Sequence, residues 1–238
     1  MSISLTSTTA LIPYIPPKTP MEFLQSEFKK LQKKQQLVDL IHTNACHIGS
    51  IDNSKITFWV KKDCTVEKIR TCNYLRLYHA ELDEVPDAIR QLTCLDSIDL
   101  AGNRLKTLPS WIGDLSHLCN LNLGRNRIQE LPNKIICLNN LKEINLYDNN
   151  LDSIPSQVFR IKNLQKLYLD DNKIKAIPSE IGLLKNLEFL SIVRNRLVTI
   201  PEEIKELKSL KTFCCLYDNT LDEASVKITQ ELGNIVKG

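Results

Sequence analysis

The chain has 238 residues, of which 42% are hydrophobic and 25% are charged, and its formal net charge is +3. This composition suits one or two globular domains with a real core, and no apolar run reaches the length of a membrane span. Because residues 72–238 hold 21 Lys or Arg against 22 Asp or Glu, the body of the chain is nearly neutral and no nucleic-acid partner is predicted.

The N-terminal third carries the excess of positive charge, with ten Lys or Arg against six Asp or Glu in residues 1–71. Its start, MSISLTSTTALIPYIPP, lacks the basic region of a secretory signal. Ser, Thr and Pro predict an extended arm over residues 1–20. Apolar residues at helical spacing predict an amphipathic helix over 21–42. With an apolar half-repeat over 63–71, we interpret residues 21–71 as an N-terminal helical and half-repeat cap.

Four lysines lie together on that helix, at positions 29, 30, 33 and 34. They could contact an anionic membrane surface. Glu22 and Glu27 balance them and no lipidation motif accompanies them. We therefore favour a solvated helix face, and membrane attachment through residues 21–42 stays an alternative.

A period of 23 residues runs through residues 72–220. Leu recurs at 95, 118, 141, 164, 187 and 210, Asn at 103, 126, 149, 172 and 195, and Pro at 86, 109, 132, 155, 178 and 201. The L-x-L alternation predicts a short strand in each repeat, with side chains pointing alternately inward and outward. Because one repeat cannot bury its own Leu face, the repeats must stack into a solenoid.

The consensus L-x-x-[LI]-x-L-x-x-N-x-[LI]-x-x-[LI]-P-x-x-[IV]-x-x-[LI]-x-x resembles the leucine-rich-repeat family, in its short 23-residue class with a Leu-Pro. About six and a half repeats fit it. The resemblance implies an α/β solenoid that is curved, with a parallel β-sheet on the concave side, short helical or 3-10 turns on the convex side and helical caps at both ends. It also implies that a ladder of Asn side chains (Asn103, Asn126, Asn149, Asn172 and Asn195) bonds the backbone of the turns.

At the C-terminal end the pattern degenerates, with Asp218 in place of Asn and Ala224 in place of Pro. Thr220 and Glu223 form a capping-box signature, and apolar residues follow at helical spacing. We predict a helix over 221–236, so that residues 221–238 form a C-terminal capping helix.

Chemical motifs are scarce. Eight Cys are scattered without a disulfide framework and predict reduced thiols in the cytoplasm. Cys215 takes a core position, and its neighbour Cys214 points to the sheet surface. The four His show no metal-binding spacing, and no phosphate-binding glycine loop is present. We therefore expect no metal, no cofactor and no enzymatic activity. A thiol- or carboxylate-dependent enzyme, using Asp148, Asp170 and Asp171, is kept as an alternative of another class.

The outward positions of the predicted sheet are unusually aromatic and charged. The predicted protein-binding residues on this concave face are Tyr74, Tyr78, Arg125, Tyr147, Asp148, Tyr168, Asp170, Asp171, Phe189 and Arg194. Aromatic residues and Arg are enriched at interaction hot spots, although Tyr also favours strands. Tyr147 and Tyr168 lie in adjacent repeats, at the seventh and fifth positions, and their rings are expected to be near neighbours.

The family resemblance implies a cytoplasmic adaptor or scaffold, since proteins of this type are chiefly such modules and some act in Ras-type signalling. We expect a monomer that binds one protein partner of unknown identity on its concave face. An alternative is a bacterial effector of the same repeat type, secreted into a host cytosol.

Overall fold

A computed structural model describes residues 73–85 and 87–237 of the protein. The N-terminal arm (1–20) and the cap predicted over 21–71 lie outside the described residues and stay predictions. Within the described residues, short strands alternate with short 3-10 helices. The strands are β1 (Tyr74–Arg76), β2 (Ser97–Asp99), β3 (Asn120–Asn122), β4 (Glu143–Asn145), β5 (Lys166–Tyr168), β6 (Phe189–Ser191), β7 (Thr212–Cys214) and β8 (Val236–Lys237).

The returning segments hold the helices of the described part. The 3-10 helices are η1 (Asp87–Gln91), η2 (Ser110–Asp114), η3 (Asn133–Cys137), η4 (Ser156–Arg160), η5 (Ser179–Leu183), η6 (Glu202–Glu206) and η7 (Gly233–Ile235), and one α-helix, α1, spans Glu223–Leu232.

The eight strands form one open parallel sheet in sequence order. Tyr74 lies opposite Ser97, and Ser97 lies opposite Asn120, so that the 23-residue period is the register of the sheet. The middle residue of each of the first seven strands is buried. This arrangement confirms the predicted solenoid of parallel strands, while its curvature and its caps stay predictions.

Each of the five repeat Pro residues that the structure describes lies directly before a 3-10 helix. Pro109 and Pro132 both have φ −66°, with ψ near the extended value. Their carbonyls accept hydrogen bonds from the Ile112 and Ile135 N–H groups at 3.1 and 3.0 Å. Because proline fixes φ and has no N–H that would need a partner, it suits the position just before so short a helix. The prediction of short 3-10 turns on the returning side is confirmed.

The hydrophobic core is a stack of aliphatic layers between the sheet and the 3-10 helices. Leu118, Leu141, Leu164 and Leu187, which occupy the first position of successive repeats, are fully buried. Ile112, Ile135 and Ile181 close the layers from the returning side and are also fully buried. The apolar pattern of the sequence therefore corresponds to the buried face in every complete repeat.

The Asn side chain of each repeat lies in the buried turn that follows the strand. The Oδ1 of Asn149 accepts a hydrogen bond from the Ile128 N–H of the preceding repeat at 2.8 Å. Its Nδ2 donates to the carbonyls of Leu123 in the preceding repeat and Leu146 in its own, at 3.0 and 3.1 Å. Asn103, Asn126, Asn172 and Asn195 make the equivalent bonds. Each Asn thus joins two repeats.

The interpretation of Asp218 as the residue in place of the ladder Asn is wrong. Asn219 continues it, accepting from the Leu197 N–H at 2.9 Å and donating to the Ile192 carbonyl at 2.9 Å. The Arg194 N–H bonds the carbonyl of Tyr217, which places Tyr217 at the seventh position and makes Leu216 an inserted residue. The insertion shifts Asp218 to the eighth position and Asn219 to the ninth.

A second polar ladder runs along the opposite edge of the repeats, just before the first Leu. Asn140, Asn163 and Asn186 donate from Nδ2 to the backbone carbonyl 24 residues earlier, at 2.7–2.9 Å. Ser209 makes the same bond with its hydroxyl, and the Nδ1 of His117 lies 3.1 Å from the Thr93 carbonyl. These residues share the 23-residue period, so the signal was present in the sequence but was missed.

The predicted C-terminal helix differs from the observed one at both ends. Asp222 caps α1, its side chain accepting from the Ser225 N–H at 2.8 Å, so the Thr220 capping box is wrong. The Thr220 N–H instead bonds the Leu197 carbonyl as part of the repeat. The helix ends at Leu232 because Gly233 has φ +58°. The chain then rejoins the sheet as β8.

We predict that Asn149→Ala lowers the free energy of unfolding by about 1–3 kcal/mol, because it leaves buried backbone groups without partners. The measurement is urea denaturation followed by circular dichroism. Asn150→Ala, at an exposed neighbouring position, is the control and should change stability little. Equal midpoints for the two variants would contradict a structural role of the ladder.

We predict that α1 protects the last repeat. Ile228 is buried against the core while Val226 on the same helix is exposed. Ile228→Glu should lower the melting temperature and speed amide exchange in β7, because a carboxylate is forced into an apolar layer. Val226→Glu should do neither. Unchanged exchange in Ile228→Glu would argue against a capping role.

Candidate protein-binding face

The exposed side of the sheet is called the strand face here. It consists of the two outward residues of each strand and the seventh and eighth residues of each repeat, which follow the strand. At the eighth position the backbone is left-handed in every described repeat, with φ of 53° at Arg125 and 49° at Arg194. Sequence reasoning missed this conformation, which non-glycine residues adopt rarely.

The N-terminal part of the strand face holds a compact group of rings and charges. The Arg76 guanidinium carbon lies 5.2 Å from the centre of the Tyr78 ring, and Arg76 Nε lies 3.4 Å from an oxygen of Asp99. The rings of Tyr78 and His79 meet edge to face at 4.2 Å. The His79 ring lies over Gly102, where an added Cβ would come within 2.8 Å of it. A side chain at position 102 would therefore displace the His79 ring from this place.

Two aromatic groups occupy the centre of the strand face. The Arg125 guanidinium carbon lies 5.6 Å from the centre of the Tyr147 ring. The Tyr168 and Phe189 rings lie 4.9 Å apart at an angle of 38°. Burial, and secondarily Glu143, raises the pKa of Tyr168, so its hydroxyl is protonated near neutral pH.

The expectation that the Tyr147 and Tyr168 rings are near neighbours stays a prediction, and the ring that contacts Tyr168 is that of Phe189. Tyr168 lies opposite Asn145 and Ser191 in the sheet, so Tyr147 and Phe189 are both its diagonal neighbours. Its ring leans towards Phe189, and Tyr147 is covered by Arg125 instead. The rotation of a side chain about its first torsion decides between such diagonals, and the repeat pattern carries no information about it.

The aspartates of the strand face differ in their surroundings. Asp170 accepts hydrogen bonds from the Ser191 hydroxyl at 2.5 Å and the Val193 N–H at 2.8 Å. Asp171 binds Arg194 through both oxygens at 2.6 and 2.5 Å, and this bond raises the pKa of Arg194. Asp148 is exposed. Two of the three carboxylates proposed for catalysis are therefore committed to bonds within the protein.

A row of polar side chains at the fifth position has a structural role that the sequence analysis did not foresee. The side-chain oxygens of Asp99, Asn122 and Asn145 each accept the backbone N–H two residues later, at 3.1, 3.1 and 2.9 Å. The Asn122 amide also donates to Asp99 at 3.0 Å. These fifth-position residues stabilise the turn, so fewer outward side chains are free for a partner than the pattern suggested.

The adjacent thiols of Cys214 and Cys215 are not activated. Burial raises the pKa of Cys214, and burial together with Cys214 raises the pKa of Cys215 to about 12. Since the thiolate is the nucleophile, both side chains are poor nucleophiles at neutral pH. Among residues 73–85 and 87–237, no group of three His, Cys, Asp or Glu is placed to hold a metal ion. In the same residues, no helix has the length and apolarity to span a membrane.

We predict that Cys214 and Cys215 react slowly with iodoacetamide at pH 7, because their raised pKa values leave almost no thiolate. Cys94 and Cys137 are exposed free thiols and serve as internal references for peptide mass spectrometry. Labelling of Cys215 should appear only after denaturation. Faster labelling of Cys214 than of Cys94 would support thiol chemistry on the strand face.

Comparison with known proteins identifies the repeat. Residues 61–146 and 111–237 match a family model described as a leucine-rich repeat region, which together cover about three quarters of the chain. No curated protein matches the sequence significantly. Among solved structures, 461 chains match.

Two of the similar structures are leucine-rich-repeat proteins from different organisms. A leucine-rich-repeat protein of Leptospira interrogans is 25% identical over 72% of this chain and 61% of that chain, with a TM-score of 0.38. The leucine-rich-repeat ectodomain of the plant membrane receptor kinase GASSHO1/SCHENGEN3 from Arabidopsis thaliana, in complex with CASPARIAN STRIP INTEGRITY FACTOR 2, is 29% identical. That match covers 66% of this chain and 19% of that chain, with a TM-score of 0.55. The chain thus spans less than two thirds of either neighbour.

Proposed function

Because the chain belongs to the leucine-rich-repeat family, we propose that it is a non-enzymatic module that binds a protein partner on its strand face. Domains of this family generally mediate protein–protein interaction. The observation that carries the proposal is the aromatic and charged centre of the strand face, where Tyr147, Tyr168 and Phe189 are only partly buried. None of these three side chains fills the core.

The aromatic groups are suited to act as anchors. Tyr168 and Phe189 support each other at 4.9 Å, and Arg125 holds the Tyr147 ring from one side. Rings fixed in this way lose little conformational entropy when a partner binds, which favours affinity. Exposed Asp148 next to Tyr147 offers a carboxylate for a basic group of the partner.

The C-terminal end of the strand face extends this surface. The insertion of Leu216 leaves both Leu216 and Tyr217 exposed, at 45% and 56% of their surface. Exposed large apolar side chains beside a polar rim are typical of interaction sites. We propose that a partner covering Tyr147, Tyr168 and Phe189 reaches towards this end.

Binding rather than catalysis is favoured by the state of the reactive groups. Asp170 and Asp171 are occupied by Ser191, Val193 and Arg194, and the raised pKa values of Cys214 and Cys215 disfavour thiolates. The free thiols Cys94 and Cys137 suit a reducing compartment. We therefore propose a monomeric adaptor or scaffold in the cytoplasm. The similar plant ectodomain in complex with its factor gives a precedent for binding, not for compartment.

We predict that Tyr147→Ala and Tyr168→Ala leave the free energy of unfolding within about 1 kcal/mol of wild type, since both rings lie outside the core. If they are hot spots, each weakens partner binding by about 2 kcal/mol or more. The partner is first captured from a lysate and identified by mass spectrometry, and its affinity is then measured by calorimetry.

The control for this test is Lys106→Ala, an exposed change outside the strand face. It should bind the partner like the wild type. The proposal is wrong if the double Tyr variant, folded by circular dichroism, binds the identified partner with wild-type affinity.

A further inference from the structure

The surface formed by the 3-10 helices is called the return face. We propose that a groove on this face binds a short peptide segment that carries a large apolar side chain flanked by carboxylates. The groove is distinct from the strand face, so this site does not depend on the function proposed above. It has a volume of about 630 Å³ and lies between η3, η4 and η5. That volume falls in the ordinary range of ligand sites.

The groove arises from uneven packing of successive 3-10 helices. At position 19 of the repeat, Gly113 and Gly182 allow η2 to pack closely on η3, and η5 on η6. A Cβ on Gly113 would lie 2.1 Å from the Lys134 carbonyl oxygen, and one on Gly182 would lie 3.1 Å from the Glu203 Cβ. At the same position η4 carries Phe159. Since a side chain at this position faces the next repeat, Phe159 separates η4 from η5 and Ile136 separates η3 from η4, and both pairs pack more loosely.

The groove offers an apolar seat. Phe159 lies in its wall with little exposed surface, and Ile136 from η3 contributes a partly buried side chain. Leu183 from η5 lines the other side and is 59% exposed, more than any other large hydrophobic side chain of the described residues. Covering Leu183 with an apolar group of a ligand would remove this exposed aliphatic surface from water, which is energetically favourable.

The charged residues that line the groove are all basic. Its lining includes Arg160, Lys162 and Lys185 but no carboxylate. Lys185 pairs with Glu206 at 2.7 Å, whereas no described carboxylate lies within ion-pair distance of Arg160 or Lys162. The return-face bases Arg90 and Lys134, by contrast, both pair with Asp114. Charge complementarity therefore favours an acidic occupant, which Arg160 and Lys162 would hold.

Two amides in the groove suit a peptide backbone. Asn163 and Asn186 donate from Nδ2 to the carbonyls of Asn139 and Lys162. Within the described residues, no donor bonds their Oδ1 atoms, which are thus open to peptide N–H groups. An apolar wall, a cationic rim and fixed acceptors together match an acidic peptide better than a membrane surface, which offers no N–H groups in register.

The test is a selection from a phage-displayed library of random peptides against the whole protein. The library is first depleted on the Leu183→Glu variant, which is expected to fold because this side chain is exposed. The expected result is enrichment of peptides that carry Phe, Leu or Trp beside two or more Asp or Glu. A synthetic copy of the most enriched peptide is then titrated by fluorescence anisotropy.

Lys162→Glu and Leu183→Glu should each weaken binding of that peptide at least about tenfold. The affinity of the wild-type protein for the peptide should fall as the salt concentration is raised. The matched controls are Lys175→Glu, an exposed charge reversal outside the groove, and Val198→Glu, an exposed apolar position outside it. Both should bind within about twofold of wild type.

Three results would overturn the proposal. The first is no enrichment over the depleted library, or enrichment of peptides without acidic residues. The second is binding that the groove variants and the control variants weaken equally. The third is groove-dependent co-sedimentation with phosphatidylserine vesicles in the absence of peptide binding, which would assign the groove to an anionic membrane surface.

Discussion

The fold depends on satisfying the backbone groups of the turn that follows each strand. The chain leaves the sheet inside the stack, away from water, and unpaired amide groups there would cost about 1–3 kcal/mol each. One Asn per repeat solves this, because its side chain both donates and accepts. Asn149 accepts a hydrogen bond from the Ile128 N–H and donates one to the Leu123 carbonyl, and both of these partners belong to the preceding repeat. The same residue therefore pairs the turn and fixes the spacing between repeats.

This constraint explains how much of the fold could be predicted. Core positions and ladder positions recur because buried apolar area and buried polar groups both impose a fixed residue type, so the strands, their register and the 3-10 turns follow from the sequence. Prediction failed where the period breaks. The inserted Leu216 hides the role of Asn219, and the cap at Asp222 lies two residues past Thr220, where the capping-box pattern begins. The single inserted residue shifts the Asn out of the 23-residue spacing, but the turn still needs an Asn side chain to bond its backbone groups.

The strand face was predictable in position but not in detail. Its outward residues follow from the alternation of each strand, yet their contacts depend on side-chain torsions that repeat statistics do not encode. The contact of the Tyr168 ring with Phe189 is one such detail. The row of Asp99, Asn122 and Asn145 also shows that an outward position can be structural. The outward residues that are available to a partner are therefore those whose side chains do not bond the backbone of the turns.

The residue type can differ between repeats only at positions that neither fill the core nor bond the turn. The first Leu and the Asn cannot change without opening the core, so differences between repeats collect at outward strand positions and on the 3-10 helices. At position 19 the chain carries Gly113, Ile136, Phe159, Gly182 and Lys205 in successive repeats. Size at this position sets how closely two returning segments approach, since a Cβ at Gly113 would clash with the backbone of the next repeat. Two successive large residues between two glycines there open a groove without disturbing the sheet. A solenoid built on these two buried positions can thus vary its strand face and its return face independently, because the first Leu and the Asn that follows each strand lie on neither face.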